Sequence, residues 1–294
     1  MTAKISLAHS PDSDDAFMFY GLASGKVNAD GLDIVHVLKD IETLNREARE
    51  GRHEITAISI HAYPHVADGY ALMSCGGSIG DGYGPLLVAR EALDPTQLSG
   101  LTVAVPGTLT TAYLALKLFS PDVKTVVRPF DTILDEVAAG RADLGLIIHE
   151  GQLTYGGQGL RRILDLGAWW KEQTGLPLPL GGNAVRRDLG PALMKRLTGL
   201  VRATVEYSLA HRKDALAYAM SFAPDSIPVL MSGIRMWGGV QKQKMSGFTS
   251  LASAAGSVLV FTLPSFAVAA ASRCGSRLQI PASSNRGLAA NAEA

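Results

Sequence analysis

The apolar residues of this chain fall into short runs that alternate with segments of helical periodicity. Residues 5–9, Asp33–Leu38 and residues 55–60 are short and largely apolar, which predicts three strands. A helix is predicted between the first two strands, through residues 17–23. A second helix is expected after Asp40, which stands in the position of an N-cap.

The same alternation continues through the middle of the chain. A helix is predicted from His61, and residues 101–119 predict a strand, a loop and a helix in succession. Asp131 is expected to cap the next helix, and residues 142–149 are predicted to form a buried strand. Strands separated by helices indicate parallel sheets that are covered on both faces, and therefore an α/β fold.

Two segments rich in glycine indicate where the chain passes between two lobes. Residues 76–84 hold five glycines in nine positions, and residues 175–182 are rich in proline and glycine. We therefore predict a discontinuous first lobe, residues 1–89 with 184–224, and an inserted second lobe, residues 90–183. In folds of this kind, ligands bind at the carboxyl ends of strands, in the cleft where the lobes meet.

Composition narrows the class of protein. Lysine and arginine together number 27, as do aspartate and glutamate, so no overall field attracts nucleic acid or an anionic membrane. The two cysteines, Cys75 and Cys274, lie far apart, which argues against a disulfide framework and fits a reducing compartment. The N-terminus turns acidic before an apolar run of signal-peptide length develops. We therefore expect a cytoplasmic protein that binds a small molecule, with no nucleic-acid or membrane partner.

Polar side chains follow several of the predicted strands. Residues 10–15 place carboxylates at the start of a helix, and residues 56–61 place Ser59 near the end of a buried strand. Each observation alone also has a structural explanation, the first as a helix N-cap and the second as a serine bonded to backbone. Thr110 and Thr111 begin a helix whose free N–H groups and dipole favour a bound carboxylate. Helix capping explains one of these threonines but does not require two.

His149 is the candidate with the clearest chemistry. It follows residues 144–148, a run too apolar to be exposed, so it is expected at the mouth of a buried strand. An imidazole has an unperturbed pKa of about 6.5, which suits proton abstraction near neutral pH. A lone histidine is also compatible with a structural role, and the residues alone leave both interpretations open.

Five segments of the chain, in this order and at these spacings, resemble one enzyme family. That family is 1,4-dihydroxy-6-naphthoate synthase, an enzyme of the futalosine route to menaquinone, and the resemblance covers residues 1–222. The segments are SPDSDDAFMFYGL from residue 10, GYGPLLVAR from 82, VAVPGTLTTAYLAL from 103, GLIIHEGQLTY from 145 and LGAWWKEQTGLPLPLGG from 166. The histidine and tryptophan segments make the resemblance specific.

The resemblance implies a two-lobed α/β fold like that of type II periplasmic binding proteins, acting in the cytoplasm as a carbon–carbon lyase. Its substrate would be cyclic dehypoxanthinyl futalosine and its product 1,4-dihydroxy-6-naphthoate, with neither a metal nor an organic cofactor required. His149 corresponds to the general base of the family. The positions that correspond to substrate-binding residues are Ala57, Ile58, Ser59, Thr110, Thr111, Asp15 and Asn45.

Two other functions share this architecture. A non-enzymatic solute-binding protein would have the same fold, but the missing export signal and the segment around His149 argue against it. Chorismate dehydratase, a sister enzyme of the same pathway, would not be expected to carry the GLIIHEGQLTY segment. The lyase is therefore the favoured function.

Residues 225–294 depart from the pattern of the family. Only Asp225 and Glu293 are acidic in this segment, and residues 245–272 carry no charge. The missing amphipathic pattern predicts a tail that is disordered or translated out of frame. A membrane anchor is the alternative, because the uncharged run is long, although its serine and glycine residues dilute its hydrophobicity.

Overall fold

The computed structural model of the protein describes residues 4–149 and 151–222. The prediction for residues 225–294 lies outside these residues. Within the described ranges the chain forms two five-stranded sheets with helices packed against them. None of the helices in these ranges is long and apolar enough to cross a membrane.

The first sheet combines strands from both ends of the described chain. Its strands are β1 (Lys4–His9), β2 (Asp33–Leu38), β3 (Ile55–Ser59), β4 (Tyr70–Gly80) and β10 (Leu178–Arg186). They lie in the order β2-β1-β3-β10-β4. β1 is parallel to β2 and β3, whereas β10 is antiparallel to β3 and β4. Because β1 and β3 are parallel, the residues that follow them lie at the same edge of the sheet.

The second sheet is formed by the intervening part of the chain. Its strands are β5 (Leu86–Ala89), β6 (Thr102–Val105), β7 (Lys124–Val127), β8 (Leu144–Ile147) and β9 (Arg161–Asp165). They lie in the order β7-β6-β8-β5-β9. β6 is parallel to β7 and β8, and β5 is antiparallel to β8 and β9. The loops after β6 and β8 therefore lie at one edge of this sheet.

Eight α-helices are described in residues 4–149 and 151–222. They are α1 (Ser13–Ala23), α2 (Ile41–Arg49), α3 (Thr111–Phe119), α4 (Ile133–Ala138), α5 (Gly151–Thr154), α6 (Leu166–Thr174), α7 (Gly190–Ala210) and α8 (Arg212–Met220). α1, α2 and α7 pack against strands of the first sheet, and α3, α4 and α6 against strands of the second; α3 and α6 also contact β10 of the first sheet. Each sheet with its helices forms one lobe.

Each lobe has its own apolar core. In the first lobe, Phe19 of α1 and Leu197 of α7 are buried against Leu7 of β1. In the second lobe, Leu116 of α3 is buried with Leu144 of β8. Full burial of a side chain of this size contributes roughly 1.5–3 kcal/mol relative to exposure. These cores hold the strand ends from which the polar segments project.

The sheets are mixed rather than parallel, which corrects the prediction. The chain leaves the first sheet along β4 and returns to it along β10, beside β4. Leu178, at the start of β10, pairs with Gly80, at the end of β4, so the chain re-enters the sheet at the edge where it left and β10 runs antiparallel to β4. The antiparallel pairs are those of β10 with β3 and β4, and of β5 with β8 and β9. β4, β5, β9 and β10 are the strands next to the two crossings.

The division of the chain after residues 89 and 183 stays a prediction. Leu86–Ala89, just before the first boundary, pairs within the second sheet, and Leu178–Arg186, which the second boundary divides, pairs within the first. Glycine-rich segments indicate roughly where the chain crosses between the lobes. They do not indicate which sheet the neighbouring strand will join.

Two local predictions are wrong. His61 does not start an α-helix: only the short 3-10 helix Tyr63–His65 forms, because Pro64 lacks a donor and disfavours helical geometry in the residue before it. Asp131 does not cap α4. It lies inside the 3-10 helix Phe130–Thr132, and Thr132 takes the N-cap position.

Candidate active site

The polar segments of the two lobes meet at facing strand ends. Ser10 follows β1 and Ser59 ends β3, at one edge of the first sheet. His149 comes shortly after β8, at the edge of the second sheet that also carries the loop after β6. A direct contact joins the two edges, because the Nδ1 atom of His149 lies 2.8 Å from the Oδ2 atom of Asp12. The structure therefore brings the predicted base against the acidic segment of residues 10–15.

His149 has an uncommon backbone conformation. Its φ is +56°, in the left-handed region that residues other than glycine rarely occupy. Such a conformation costs on the order of 1–3 kcal/mol and persists only where the surroundings impose it. The imidazole packs edge-on against the ring of Phe130, with centroids 5.8 Å apart, and the side chain remains 23% exposed. His149 is thus held in place yet reachable from solvent.

Asp12 is the buried partner of His149. The residue is 5% exposed, and its carboxylate also accepts a hydrogen bond from the hydroxyl of Ser10. Burial alone would raise the pKa of Asp12. The charge of His149 and the hydrogen bonds from His149 and Ser10 together outweigh burial and hold that pKa below its usual range. Asp12 is therefore ionised at neutral pH.

Asp15, a predicted binding residue of the same segment, has the opposite electrostatics. Its carboxyl group accepts a hydrogen bond from the backbone N–H of Ser10 at 2.8 Å. Burial of the group, followed by the negative charges of Asp14 and Asp12, raises the pKa of Asp15 well above its usual range. Two carboxyl groups on neighbouring turns of the chain thus favour different protonation states.

Asn45 and Ser59 form a reciprocal pair of hydrogen bonds. The Nδ2 of Asn45 donates to the Oγ of Ser59 at 2.9 Å, and its Oδ1 accepts from the backbone N–H of Ser59 at 2.8 Å. Asn45 is fully buried, so its amide serves to hold the end of β3. Ala57 and Ile58, the other residues of this predicted segment, are buried within β3.

Thr110 is the N-cap of α3. Its Oγ1 accepts a hydrogen bond from the backbone N–H of Tyr113 at 3.1 Å and donates to the carbonyl of Gly107 at 3.1 Å. The hydroxyl proton is therefore already engaged. What the start of α3 can offer to an anion is its backbone N–H groups, since the first turn of a helix leaves such donors without intrahelical acceptors.

Thr111 joins α3 to the first lobe. Its Oγ1 donates to the carbonyl of Leu180, in β10, at 2.6 Å and accepts from the backbone N–H of His61 at 3.2 Å. The ring of His61 adds a second link, since its Nδ1 lies 3.1 Å from the carbonyl oxygen of Thr110. The predicted segments 57–59 and 110–111 are thus neighbours, connected through His61.

Sequence reasoning missed two members of the site, Ser10 and Asp12. Residues 10–15 hold three carboxylates, and only the resemblance favours Asp15 among them. Which carboxylate reaches the opposite lobe depends on the turn that the chain makes after β1. The available signal is position: Asp12 belongs to residues 10–15, which the sequence places between a predicted strand and the start of a helix.

The fold defines the class of protein. An alkanesulfonate-binding protein of Xanthomonas axonopodis pv. citri, solved with bound MOPS, superposes with a TM-score of 0.62, over 79% of this chain and 83% of that one. At 13% identity this likeness shows the fold alone. The chain has the two-lobed architecture of periplasmic binding proteins, as the sequence predicts.

The sequence then defines the family. Residues 5–235 match the family described as menaquinone biosynthesis. A curated relative from Thermus thermophilus, 47% identical over 75% of this chain and 80% of its own length, is named 1,4-dihydroxy-6-naphthoate synthase. A crystal structure of an Archaeoglobus fulgidus protein is 45% identical and superposes with a TM-score of 0.72, over 77% of this chain and 87% of that one. The chain belongs to the menaquinone biosynthesis family.

Proposed function

We propose that this chain is a 1,4-dihydroxy-6-naphthoate synthase that converts cyclic dehypoxanthinyl futalosine to 1,4-dihydroxy-6-naphthoate, with His149 as general base. The name of the Thermus thermophilus relative supports the reaction, and the family supports the pathway. One observation carries the role of His149: its imidazole stands after β8 at the edge facing the first lobe, in contact with the ionised Asp12.

The chemistry that this substrate requires fits an imidazole base. Cyclic dehypoxanthinyl futalosine carries an aromatic carboxylate and a spiro-linked sugar remnant. Loss of the remnant needs removal of a proton and cleavage of a carbon–carbon bond, and aromatisation drives the step. His149 accepts that proton, and its partial exposure leaves the ring accessible to a bound substrate.

The start of α3 is the site proposed for an anionic group of the substrate. The hydroxyls of Thr110 and Thr111 fix this helix end by bonding to Gly107 and Leu180. The backbone N–H groups of the first turn, with the positive end of the helix dipole, then hold a carboxylate or sugar oxygen without further reorganisation. Ser59 ends β3 two residues before His61, whose backbone N–H donates to the Oγ1 of Thr111.

We propose that the protein acts in the cytoplasm and that the small-molecule substrate is its functional partner. The balanced charge of the chain supports this proposal, because no strong overall field favours a nucleic acid or an anionic membrane. A binding protein without catalysis and chorismate dehydratase are the rival functions.

The decisive experiment incubates the purified full chain separately with cyclic dehypoxanthinyl futalosine and with chorismate. Naphthoate absorbance should appear with the first compound alone. His149→Asn should lower the rate by about 10²–10⁴-fold, the usual contribution of a general base, while circular dichroism stays unchanged. His65→Asn, which removes an exposed histidine, is the matched control and should keep the rate of the parent.

The outcomes separate the rival functions. Turnover of chorismate would assign the sister activity, and binding of either compound without turnover would assign a binding protein. A His149→Asn rate within a few-fold of the parent would remove His149 from the mechanism while leaving the reaction in place.

A further inference from the structure

Asp12 occupies the N-cap position of α1 but does not cap it. Its side chain makes no capping hydrogen bond to the first turn of α1. Asp40, in the equivalent position before α2, does cap, because its Oδ1 accepts from the backbone N–H of Thr43 at 2.9 Å. A capping contact normally stabilises the start of a helix, so Asp12 forgoes the usual role of an aspartate at this position.

The carboxylate of Asp12 is directed to His149 instead. A buried carboxylate is costly unless hydrogen-bonded donors compensate it. Asp12 has two such donors, the Nδ1 of His149 at 2.8 Å and the hydroxyl of Ser10. Ser10 belongs to the same turn as Asp12. Of these two donors, His149 is therefore the one that links the carboxylate to the second lobe.

We propose that Asp12 is the positioning residue of the catalytic base: it holds His149 in the tautomer and orientation for proton abstraction, and it does so only when the two lobes are closed. This inference rests on the proposed role of His149.

The tautomer follows from the donor and acceptor types. A carboxylate only accepts hydrogen bonds, so the Nδ1 of His149 must carry the proton in their contact. In the neutral ring the lone pair then lies on Nε2, and Nε2 is the atom that accepts the substrate proton. After the transfer both ring nitrogens carry protons, and the negative charge of Asp12 stabilises the imidazolium.

The dependence on closure follows from the topology. Asp12 follows β1 of the first sheet, whereas His149 follows β8 of the second. A movement that draws these two strand ends apart by more than about 1 Å takes the 2.8 Å contact beyond hydrogen-bonding distance. The base is therefore fully assembled only around an enclosed substrate.

Other titratable groups near this pair, among the described residues, are Asp14, Asp15 and His9. Asp14 and Asp15 lie in the first turn of α1, directly after Asp12, and burial raises the pKa of Asp15. His9 also interacts electrostatically with Asp12, and burial lowers the pKa of His9 to about 4, which keeps this imidazole neutral at neutral pH. Among the described residues, Asp12 is the ionised carboxylate that directly contacts His149.

The test compares Asp12→Asn with the parent in two measurements. In the first, kcat should fall by about 10²–10⁴-fold with little change in KM, because an asparagine no longer favours the correct tautomer or the imidazolium. The acid limb of the pH profile of kcat should move to lower pH, since His149 loses a neighbouring negative charge. Asp14→Asn is the matched control and removes one carboxylate from the adjacent turn.

The second measurement does not need activity. In protein labelled with 15N-histidine, His149 is assigned by comparison with His149→Asn. Its imidazole should be the Nδ1–H tautomer in the parent and should titrate at a higher pH in the parent than in Asp12→Asn. This readout applies even if the proposed reaction is not observed.

Three results would overturn the inference. In the first, Asp12→Asn keeps the kcat and the acid limb of the parent while His149→Asn is inactive. That result would keep the proposed function and would show that Asp12 does not position the base. Another is an equal shift of the acid limb in Asp14→Asn, which would mean that net charge alone is responsible. The third is a His149 tautomer and titration that Asp12→Asn leaves unchanged.

Discussion

The carboxylate of Glu42 accepts a hydrogen bond from the backbone N–H of Leu109 at 3.0 Å and thereby joins α2 of the first lobe to the loop before α3 of the second. Glu42 is 6% exposed, and a side chain on Gly107 would collide with its carboxylate. Glycine at position 107 is thus what allows Glu42 to approach this backbone.

Glu42→Gln should be tolerated better than Glu42→Ala. Burial raises the pKa of Glu42 even though the N–H of Leu109 and the charge of Arg46 act in the opposite direction, so the ionised form is not favoured by its surroundings. Glutamine keeps an acceptor for Leu109. Alanine leaves a buried donor without a partner, which costs roughly 1–3 kcal/mol. Urea unfolding of both variants measures the difference, and equal losses would contradict this account.

Asp15→Asn should stabilise the protein at neutral pH. The folded state raises the pKa of Asp15, chiefly by burial, so the ionised carboxylate disfavours folding at a pH above that value. As the pH falls below about 3.9, Asp15 is protonated in both folded and unfolded chains, and the advantage of the variant disappears. The measurement is the free energy of unfolding at several pH values.

Asp12→Asn provides the control of opposite sign. The folded state lowers the pKa of Asp12, so its contribution to stability is present above the unfolded pKa of about 3.9 and is lost as the pH falls through the folded value. The variant should be less stable than the parent at neutral pH, with a gap that narrows in acid. The same sign for both variants would show that the two carboxyl groups are not electrostatically distinct.

Thr110→Val should destabilise the protein by about 0.5–2 kcal/mol, whereas Thr110→Ser should not. Serine keeps the hydroxyl that accepts from Tyr113 and donates to Gly107, and valine removes both bonds from a buried position. The midpoint of urea unfolding measures the effect. A valine variant as stable as the parent would mean that the hydroxyl of Thr110 does not stabilise this helix end.

The strands could be predicted from sequence where burial produces short apolar runs. Asp33–Leu38 is predicted with its observed bounds, and the strand and helix around residues 101–119 differ by one residue at each start. These elements are recognisable because each has one local pattern and an unambiguous stop. The two-lobed fold follows from their alternation and from the resemblance.

The direction of the strands at the crossings could not be predicted. β5 and β10 pair with strands distant in sequence, and nothing within Leu86–Ala89 or Leu178–Arg186 encodes the direction of a partner. The same limit applies to the site. The position of His149 after an apolar strand can be predicted from one segment of sequence. Its contact with Asp12 cannot, because that contact depends on how the two lobes meet.

The position of β10 between β3 and β4 also determines the order in which a growing chain can become native. All five strands of the second sheet precede β10 in the chain, so this sheet can be completed during synthesis while the first is still divided. Until residues 178–186 emerge, β3 presents an open edge and β4 lacks its only described neighbour. Open strand edges pair readily with other chains. The lobe that begins first is therefore the last to close, and it carries the greater risk of misassembly on the ribosome.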